Sequence, residues 1–507
     1  MGLATVSGTH MSTRDIVEAG ILRLIRLALL VGALYVLSLT TVDPDLWGHV
    51  MFGHDIVTQG SVQTIDPYSF TSNRPWINHE WLAEVLLFLA FNAGGSLGIV
   101  AIKTAVAASV LLLMLAALKR APLKPIHHDL LIAIALAVMI ARIHLARPQI
   151  FSLLLFALLL HALTAADRGN KRWLLVIPIS MALWSNLHGG FIVGLGILFL
   201  WLLVRLLQAG DLKSRSILVG VGLMSIGATL LNPYGLGLWQ FLWSTVGLSR
   251  PNVADWQPIL SLDPITAATF VFAAIVCIYI VLRSGNSLDW AYKLIVVALV
   301  LGTLRVGRLD AFFAIAMVML VAPALNRSRS QSVPPADRQI AYPFGYRAAF
   351  LCAAILLLTT GSFYGVKSGR CIESFDAPES TAVDFFKGNG NHARVLTWFN
   401  WGEYAIWHLN SEVLVSMDGR RETVYSEDLF DEHTRVYQDG PDAKLFVRRL
   451  APDFVWLPSN QSVVNTLVAD GWYPRFRGPV STILGKEPGT TLQDDTHSDA
   501  VRCFPEP

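Results

Sequence analysis

Apolar runs of roughly twenty residues recur along this chain, each long enough to cross the hydrocarbon core of a bilayer as a helix. That pattern leaves few folds open. Over its 507 residues the chain is 53% hydrophobic and 15% charged, with a mean hydropathy of +0.50, whereas a soluble domain carries about 25% charged residues. The expected fold is therefore a polytopic α-helical membrane protein. A net charge of +2 supplies no basic field of the kind a nucleic-acid partner needs. Residues 1–20 lack the apolar segment and small-residue cleavage site of a signal peptide and read as a cytoplasmic N-terminal segment.

Lysine and arginine set the direction of threading. Arg14, Arg23 and Arg26 flank the start of the first span, Ile21–Thr40, and Asp43 and Asp45 follow its end, so the N-terminus is expected in the cytoplasm and the acidic loop outside. Further spans are read at Leu97–Leu118, Asp129–Ile143, Ile150–Leu163, Trp173–Ser185, Phe191–Leu207, Ser216–Leu231, Ile265–Leu282, Ala291–Leu304, Ala311–Leu325 and Ala348–Tyr364. With the first they make about eleven helices in a transmembrane region over 21–366. Gln331–Arg338 is a polar, proline-containing cytoplasmic linker.

Residues 41–84 form the first outer loop, unusual for its density of titratable groups among Trp47, Trp76 and Trp81. A loop this long is functional or disordered, and its aromatics argue against disorder. Leu46–Gln59 and Glu80–Ala93 read as amphipathic helices within it, and the three tryptophans fit an interfacial belt at headgroup level. Residues 367–507 change character. Short β-type runs (Arg394–Phe399, Glu412–Met417, Phe454–Leu457) alternate with helical stretches (Glu403–Leu409, Ala443–Leu450), as in a small extracytoplasmic α/β domain. Cys371 and Cys503 bracket that domain and read either as a closing disulfide in an oxidising compartment or as two thiols.

Threading brings one set of polar residues to the outer helix ends: Asp43, Asp45, His49, His79, Glu80, Arg142, His144, Arg147, His188, Asn232, Arg305 and Arg308. Ionisable groups near membrane depth line a cavity or pathway more often than they decorate one. Carboxylates suit general-base or metal work, and arginines suit a phosphate. Each has a plainer reading. Asp43 and Asp45 are well placed to cap the helix that starts at Leu46; His79 and Glu80 precede another helix; Arg142 and Arg147 have stems long enough to snorkel to headgroups. His188, between Asn186 and two glycines at a helix end, is harder to explain structurally. Arg305 and Arg308 lie about one helical turn apart and are expected to share a face. Asp418-Gly419-Arg420 reads as a turn with a structural ion pair.

Several blocks together carry a resemblance. DPDLWGH at residues 43–49, DPYSFT at 66–71 and W-x-x-H-E-W-L at 76–82 resemble the first outer loop of bacterial GT-C-type integral membrane glycosyltransferases. RPQIFSLLL, WSNLHGGFIVGL and LNPYG are similar to later membrane blocks of that group, as are NWGEYAIWHL and VSMDGRRETVY to its outer domain. One departure is Gly48, where the group commonly carries a second tryptophan before the histidine. The resemblance implies transfer of a sugar from a polyprenyl-phosphate carrier to an extracytoplasmic acceptor (glycan, lipid or protein) by an enzyme of the bacterial plasma membrane. It puts the role of catalytic base on Asp45, with Asp43 as second choice. Arg142, Arg147, His188, Arg305 and Arg308 are then candidates for the donor phosphate. His49, His79 and Glu80 are candidates for the acceptor or, with Asp45, for a divalent metal such as Mg or Mn. The competing reading is a transporter or lipid-handling protein without sugar chemistry, which would show repeat symmetry between halves; the sequence shows none.

Overall fold

The computed structural model describes residues 13–324 and 371–506, apart from 122, 124, 246, 249, 251–253, 375, 390, 391, 411, 489–491 and 496–501. The linker Gln331–Arg338 and the span read at Ala348–Tyr364 lie outside the described residues. Elsewhere each segment read as a span falls on a helix: α1 (Thr13–Ser38), α3 (Trp81–Leu118), α4 (Pro125–Ile143), α5 (Gln149–Asp167), α6 (Val176–Leu187), α7 (Phe191–Gln208), α8 (Leu212–Ala228), α10 (Pro264–Ser284), α11 (Trp290–Arg305) and α12 (Asp310–Ala316). Between the first and second of these comes α2 (Leu46–Gln59), and α9 (Leu236–Thr245) follows α8. Among the described residues five segments are long and apolar enough to cross a membrane: Trp81–Leu118, Gln149–Asp167, Phe191–Gln208, Pro264–Ser287 and Gly307–Ala324. This is a polytopic helical membrane protein.

Local chemistry sets the helix boundaries. Asp211, Asp263 and Asp289 cap α8, α10 and α11, each accepting a backbone N–H with its carboxylate, which satisfies donors that the first turn leaves open. Pro264 sits at the start of α10, where its missing N–H is no loss. Gly60 ends α2 in the left-handed conformation (φ 67°) and returns its N–H to Ile56 O at 2.9 Å. Gly94 and Gly95 break α3 with non-helical angles. The segment read at Trp173–Ser185 becomes a 3₁₀ turn, Lys171–Leu175, followed by the twelve-residue α6.

The chain folds as two compact units. One holds residues 1–39, 108–141 and 252–367 and is wholly helical where described. Its core includes Phe270 against Phe313, with ring centroids 5.4 Å apart. The other holds residues 40–107, 142–251 and 368–507, so the first outer loop, α5 to α9 and the C-terminal region pack as one body.

From Cys371 onward that second unit carries a mixed α/β layer. Its strands are β1 (Ile372–Ser374), β2 (Ala393–Thr397), β3 (Val413–Val415), β4 (Phe454–Pro458), β5 (Tyr473–Arg477), β6 (Ser481–Gly485), β7 (Gln493–Asp494) and β8 (Arg502–Phe504). Its helices are α13 (Ser380–Asn389), α14 (Gly402–Leu409), α15 (Glu427–Val436), α16 (Pro441–Leu450) and α17 (Ser462–Ala469). Six strands form a sheet in the order β3-β2-β4-β6-β5-β7, parallel at β3-β2-β4 and antiparallel through β4-β6-β5. Parallel neighbours need crossover helices, and α14 supplies the one between β2 and β3. A separate antiparallel pair, β1 with β8, is closed by a Cys371–Cys503 disulfide, Cα atoms 4.8 Å apart. Of the two readings open for these cysteines, the structure holds the bond.

The outer loop is built into this sheet. Val415 N–H donates to Tyr68 O and Phe70 N–H donates to Val415 O, at 3.0 and 3.2 Å, so the loop extends the edge at β3. Asn73 exchanges two hydrogen bonds with Ser426, at 2.8 and 2.9 Å. Trp47 and Trp76, expected at headgroup level, are instead core residues, 2% and 3% exposed. Trp47 meets Tyr404 edge-on at 5.1 Å and Phe504 at 5.7 Å. Once a protein layer covers the loop, these rings gain more from burial in it than from an interface. Trp81 is half-buried and donates its indole N–H to Asn186 Oδ1 at 2.8 Å.

Candidate active site

The first turn of α2 decides between a structural and a chemical role for its two aspartates. Asp43 is 1% exposed, accepts the Asp45 N–H at 3.1 Å and is ion-paired with Arg147. Its capacity is taken up in starting the helix and neutralising that arginine. Asp45 occupies the N-cap position but makes no side-chain capping bond. Its carboxylate is half-buried and left open beside Gly419, where an added Cβ would stand 2.0 Å from Asp45 Oδ1. Burial first, then the charge of Asp43, push Asp45 up to about 7 against the opposing pull of Arg147 and His49. A carboxylate poised there accepts a proton far better than one of ordinary acidity.

His49, one turn further along α2, faces Glu84 from α3 (Nδ1 to Oε1, 3.4 Å). Asn78 donates to the other oxygen of Glu84 at 2.5 Å. Burial opposes charge on His49, but the Glu84 bond and the carboxylates of Glu80 and Asp45 outweigh it and push the imidazole up to about 9. His49 is thus a fixed cation at neutral pH, close behind Asp45.

A second cluster centres on Glu80, the residue before α3. His79 and His188 each place Nε2 near Glu80 Oε1, at 3.6 and 3.5 Å. His188 closes α6 in extended conformation and accepts the Gly190 N–H on Nδ1 at 2.9 Å. A backbone amide only donates, so the ring proton of His188 lies on Nε2, facing Glu80. Ser152 Oγ is 2.8 Å from the same Nδ1 and accepts the indole N–H of Trp184 at 2.7 Å. A Cβ at position 190 would stand 2.5 Å from Ser152 Oγ and 2.9 Å from His188 Nδ1, which is why that position is glycine. His188 therefore orients Glu80.

The C-terminal layer contributes a cluster read from the sequence only as a turn, and an acid, Glu403, that was not singled out. Arg420 is 8% exposed and donates to Asp418 at 2.7 and 2.9 Å and to Asp66 at 2.7 Å. Its guanidinium lies 4.7 to 5.2 Å from the ring centres of Trp76, Phe52 and Tyr68. Burial alone would raise Asp418, but Arg420 holds it below the usual carboxylate range. The turn read at Asp418-Gly419-Arg420 is therefore a clasp between the outer loop and the sheet. Glu403, in the first turn of α14, is 2% exposed. A Cβ at Gly419 would stand 3.0 Å from Glu403 Oε1, and one at Gly48 would stand 2.0 Å from Glu403 Oε2. Among the described residues Oε2 has no hydrogen-bond partner. The signals were the glycine at 48 and an acid heading the otherwise apolar, aromatic run GEYAIWHL.

The remaining candidates divide. Arg147 is engaged by Asp43, and Arg142 is buried in the last turn of α4. Asn232 holds its own turn, accepting the Tyr234 N–H at 2.8 Å. Arg305 and Arg308 belong to the other unit and do not share a helix face. Helix α11 ends at Arg305 because Val306 is extended (φ −136°, ψ 103°), and Arg308 lies in a 3₁₀ turn with its guanidinium 5.0 Å from the Trp256 ring centre. Among the described residues no group of three or more His, Cys, Asp or Glu side chains is arranged to hold a metal ion. His49 is turned to Glu84, and Glu80 to His79 and His188.

A helical membrane body carrying an acidic first outer loop beneath an α/β layer is the architecture of a GT-C-type membrane glycosyltransferase, and the chain has that fold. Its solved neighbours include ArnT from Cupriavidus metallidurans in the apo state, 12% identical with a TM-score of 0.50, covering 94% of this chain and all of that one. They also include the arabinofuranosyltransferase AftD from Mycobacteria, 12% identical with a TM-score of 0.48, where the match covers 95% of this chain and 40% of that one. No protein-family model and no curated protein sequence matches the chain.

Proposed function

We propose that this protein is a glycosyltransferase that moves a sugar from a polyprenyl-phosphate donor to a hydroxyl of an extracytoplasmic acceptor, with Asp45 as the base. The observation that carries the proposal is the open carboxylate of Asp45, at a cap position it does not use and pushed up to about 7. In the step, the acceptor oxygen attacks the anomeric carbon as its proton passes to Asp45. The bond from that carbon to the lipid phosphate oxygen breaks with its electron pair, so direct displacement inverts the configuration. His49, held as a cation, offsets the negative charge gathered around Asp45, and Glu80, oriented by His188, lines the acceptor side. Arg142, buried in the same unit as Asp45, is proposed for the departing phosphate on charge alone. No step runs through a metal ion. The proposed topology has eleven spans, the N-terminus in the cytoplasm and residues 367–507 outside the plasma membrane.

The test is transfer from polyprenyl-phosphate sugars in detergent or vesicles, comparing wild type with Asp45→Asn. Loss of transfer by about 10²- to 10⁴-fold, the range for removing a general base, is expected with the fold unchanged by near-ultraviolet circular dichroism. Unchanged turnover would refute the assignment.

A further inference from the structure

Glu403 presents a carboxyl to the site from a different part of the chain than Asp45 does. Two glycines make room for it. The Cβ positions of Gly48 on α2 and Gly419 in the clasp loop both fall within 3.0 Å of Glu403 oxygens, and the Gly419 position also falls 2.0 Å from Asp45 Oδ1. A side chain at either place would push these carboxyls aside. Glu403 Oε2 is buried, and among the described residues it makes no hydrogen bond. Burying an ionised carboxylate without a partner is far more unfavourable than burying the neutral acid.

The charged groups facing Glu403 are Asp45, Asp418, Arg420 and Glu84. Those facing Asp45 are Asp43, Arg147, His49 and Glu80. Arg420 is already engaged by Asp418 and Asp66, so what remains around Glu403 is negative. Two carboxyls on either side of one glycine cannot both ionise without mutual repulsion.

We propose that Glu403 is the partner carboxyl of Asp45, a positioning residue inserted between Gly48 and Gly419 so that the pair carries one proton at neutral pH. The deeper group, Glu403, keeps that proton, and the shallower Asp45 stays ionised and free to take a proton from the acceptor hydroxyl. The inference rests on Asp45 being the base, and its test is chosen to be separable from that reading.

The experiment is pH-dependent infrared difference spectroscopy of the full chain in detergent, reading the protonated-carboxyl band in wild type, Glu403→Gln and Asp45→Asn. Wild type is expected to show a band at pH 7 that Glu403→Gln removes. In Asp45→Asn the same band should persist but titrate at lower pH, because the neighbouring negative charge is gone. A Glu403→Gln spectrum identical to wild type, or a band midpoint unmoved by Asp45→Asn, would overturn the pairing. The transfer assay separates the two claims. Glu403→Gln, which imitates the neutral acid, is expected to lose less turnover at pH 7 than Glu403→Ala, which loses at least tenfold and shifts the acid limb of the pH profile. Equal impairment of the glutamine and alanine variants would also overturn the pairing. Failure of transfer in the wild type alone would bear only on the function proposed above.

Discussion

If Asp45 is held in a place that disfavours its charge, neutralising it should stabilise the protein while abolishing its chemistry. An ordinary aspartate titrates at 3.8, and Asp45 is pushed up to about 7. Each unit is worth about 1.4 kcal/mol, so the folded state forgoes up to about 4 kcal/mol at neutral pH, and less to the extent that water screens a half-buried group. The sign follows from linkage. A carboxyl whose folded pKa is raised favours folding below about pH 4 and loses that contribution as pH rises toward 7. Asp45→Asn removes the titration and no capping bond, since Asp45 makes none. Thermal unfolding of the detergent-solubilised chain should therefore give nearly equal midpoints for variant and wild type at pH 4. The variant's advantage should open between pH 4 and 7 and level off above. A gap independent of pH, or a variant less stable than wild type at pH 8, would refute the reasoning.

Two further outcomes are expected. Arg420→Met should destabilise by about 3–5 kcal/mol, the range for breaking a buried ion pair, because Asp66 and Asp418 would be left facing each other. Adding Asp66→Asn and Asp418→Asn should recover most of that loss in the same unfolding assay. Gly190→Ala would put a methyl 2.5 Å from Ser152 Oγ, displace the Nδ1 support of His188 and turn Glu80 out of place. Transfer should fall at least about tenfold with the melting midpoint little changed, and retention of full turnover would remove Glu80 from the site.

Local signals were legible wherever the cause is local. Helix α2 begins and ends where the sequence reading put it, because Asp43 starts it and Gly60 stops it within a few residues. The apolar runs marked the helices for the same reason. What the sequence could not convey is which surface covers which. Trp47 and Trp76 have the look of interfacial anchors until a sheet formed from residues beyond 390 is laid over them. Asp66 and Arg420 are 354 residues apart, and no periodicity links them. Arg305 and Arg308 have helical spacing, but Val306 takes an extended conformation that spacing alone cannot show.

The departure at position 48 also has a cause distant in the chain. Helix α14 meets α2 through consecutive residues: Tyr404 packs edge-on against Trp47, and Glu403 lies against Gly48. A tryptophan at 48 would occupy the volume that the Glu403 carboxyl fills and would hold α14 away from α2. Glycine there weakens α2 by about 1 kcal/mol relative to alanine, a loss with no return unless something needs the space. What takes the space is a buried acid with one oxygen unsatisfied among the described residues, itself an unfavourable arrangement. Two locally destabilising choices that fit each other and meet beside the open Asp45 are what a site tuned for proton transfer requires, because strain of this kind persists where function depends on it. The glycine at 48 is therefore coupled to the acid at 403, and if Asp45 is the base, the α/β layer belongs to the site's chemistry as much as the outer loop does.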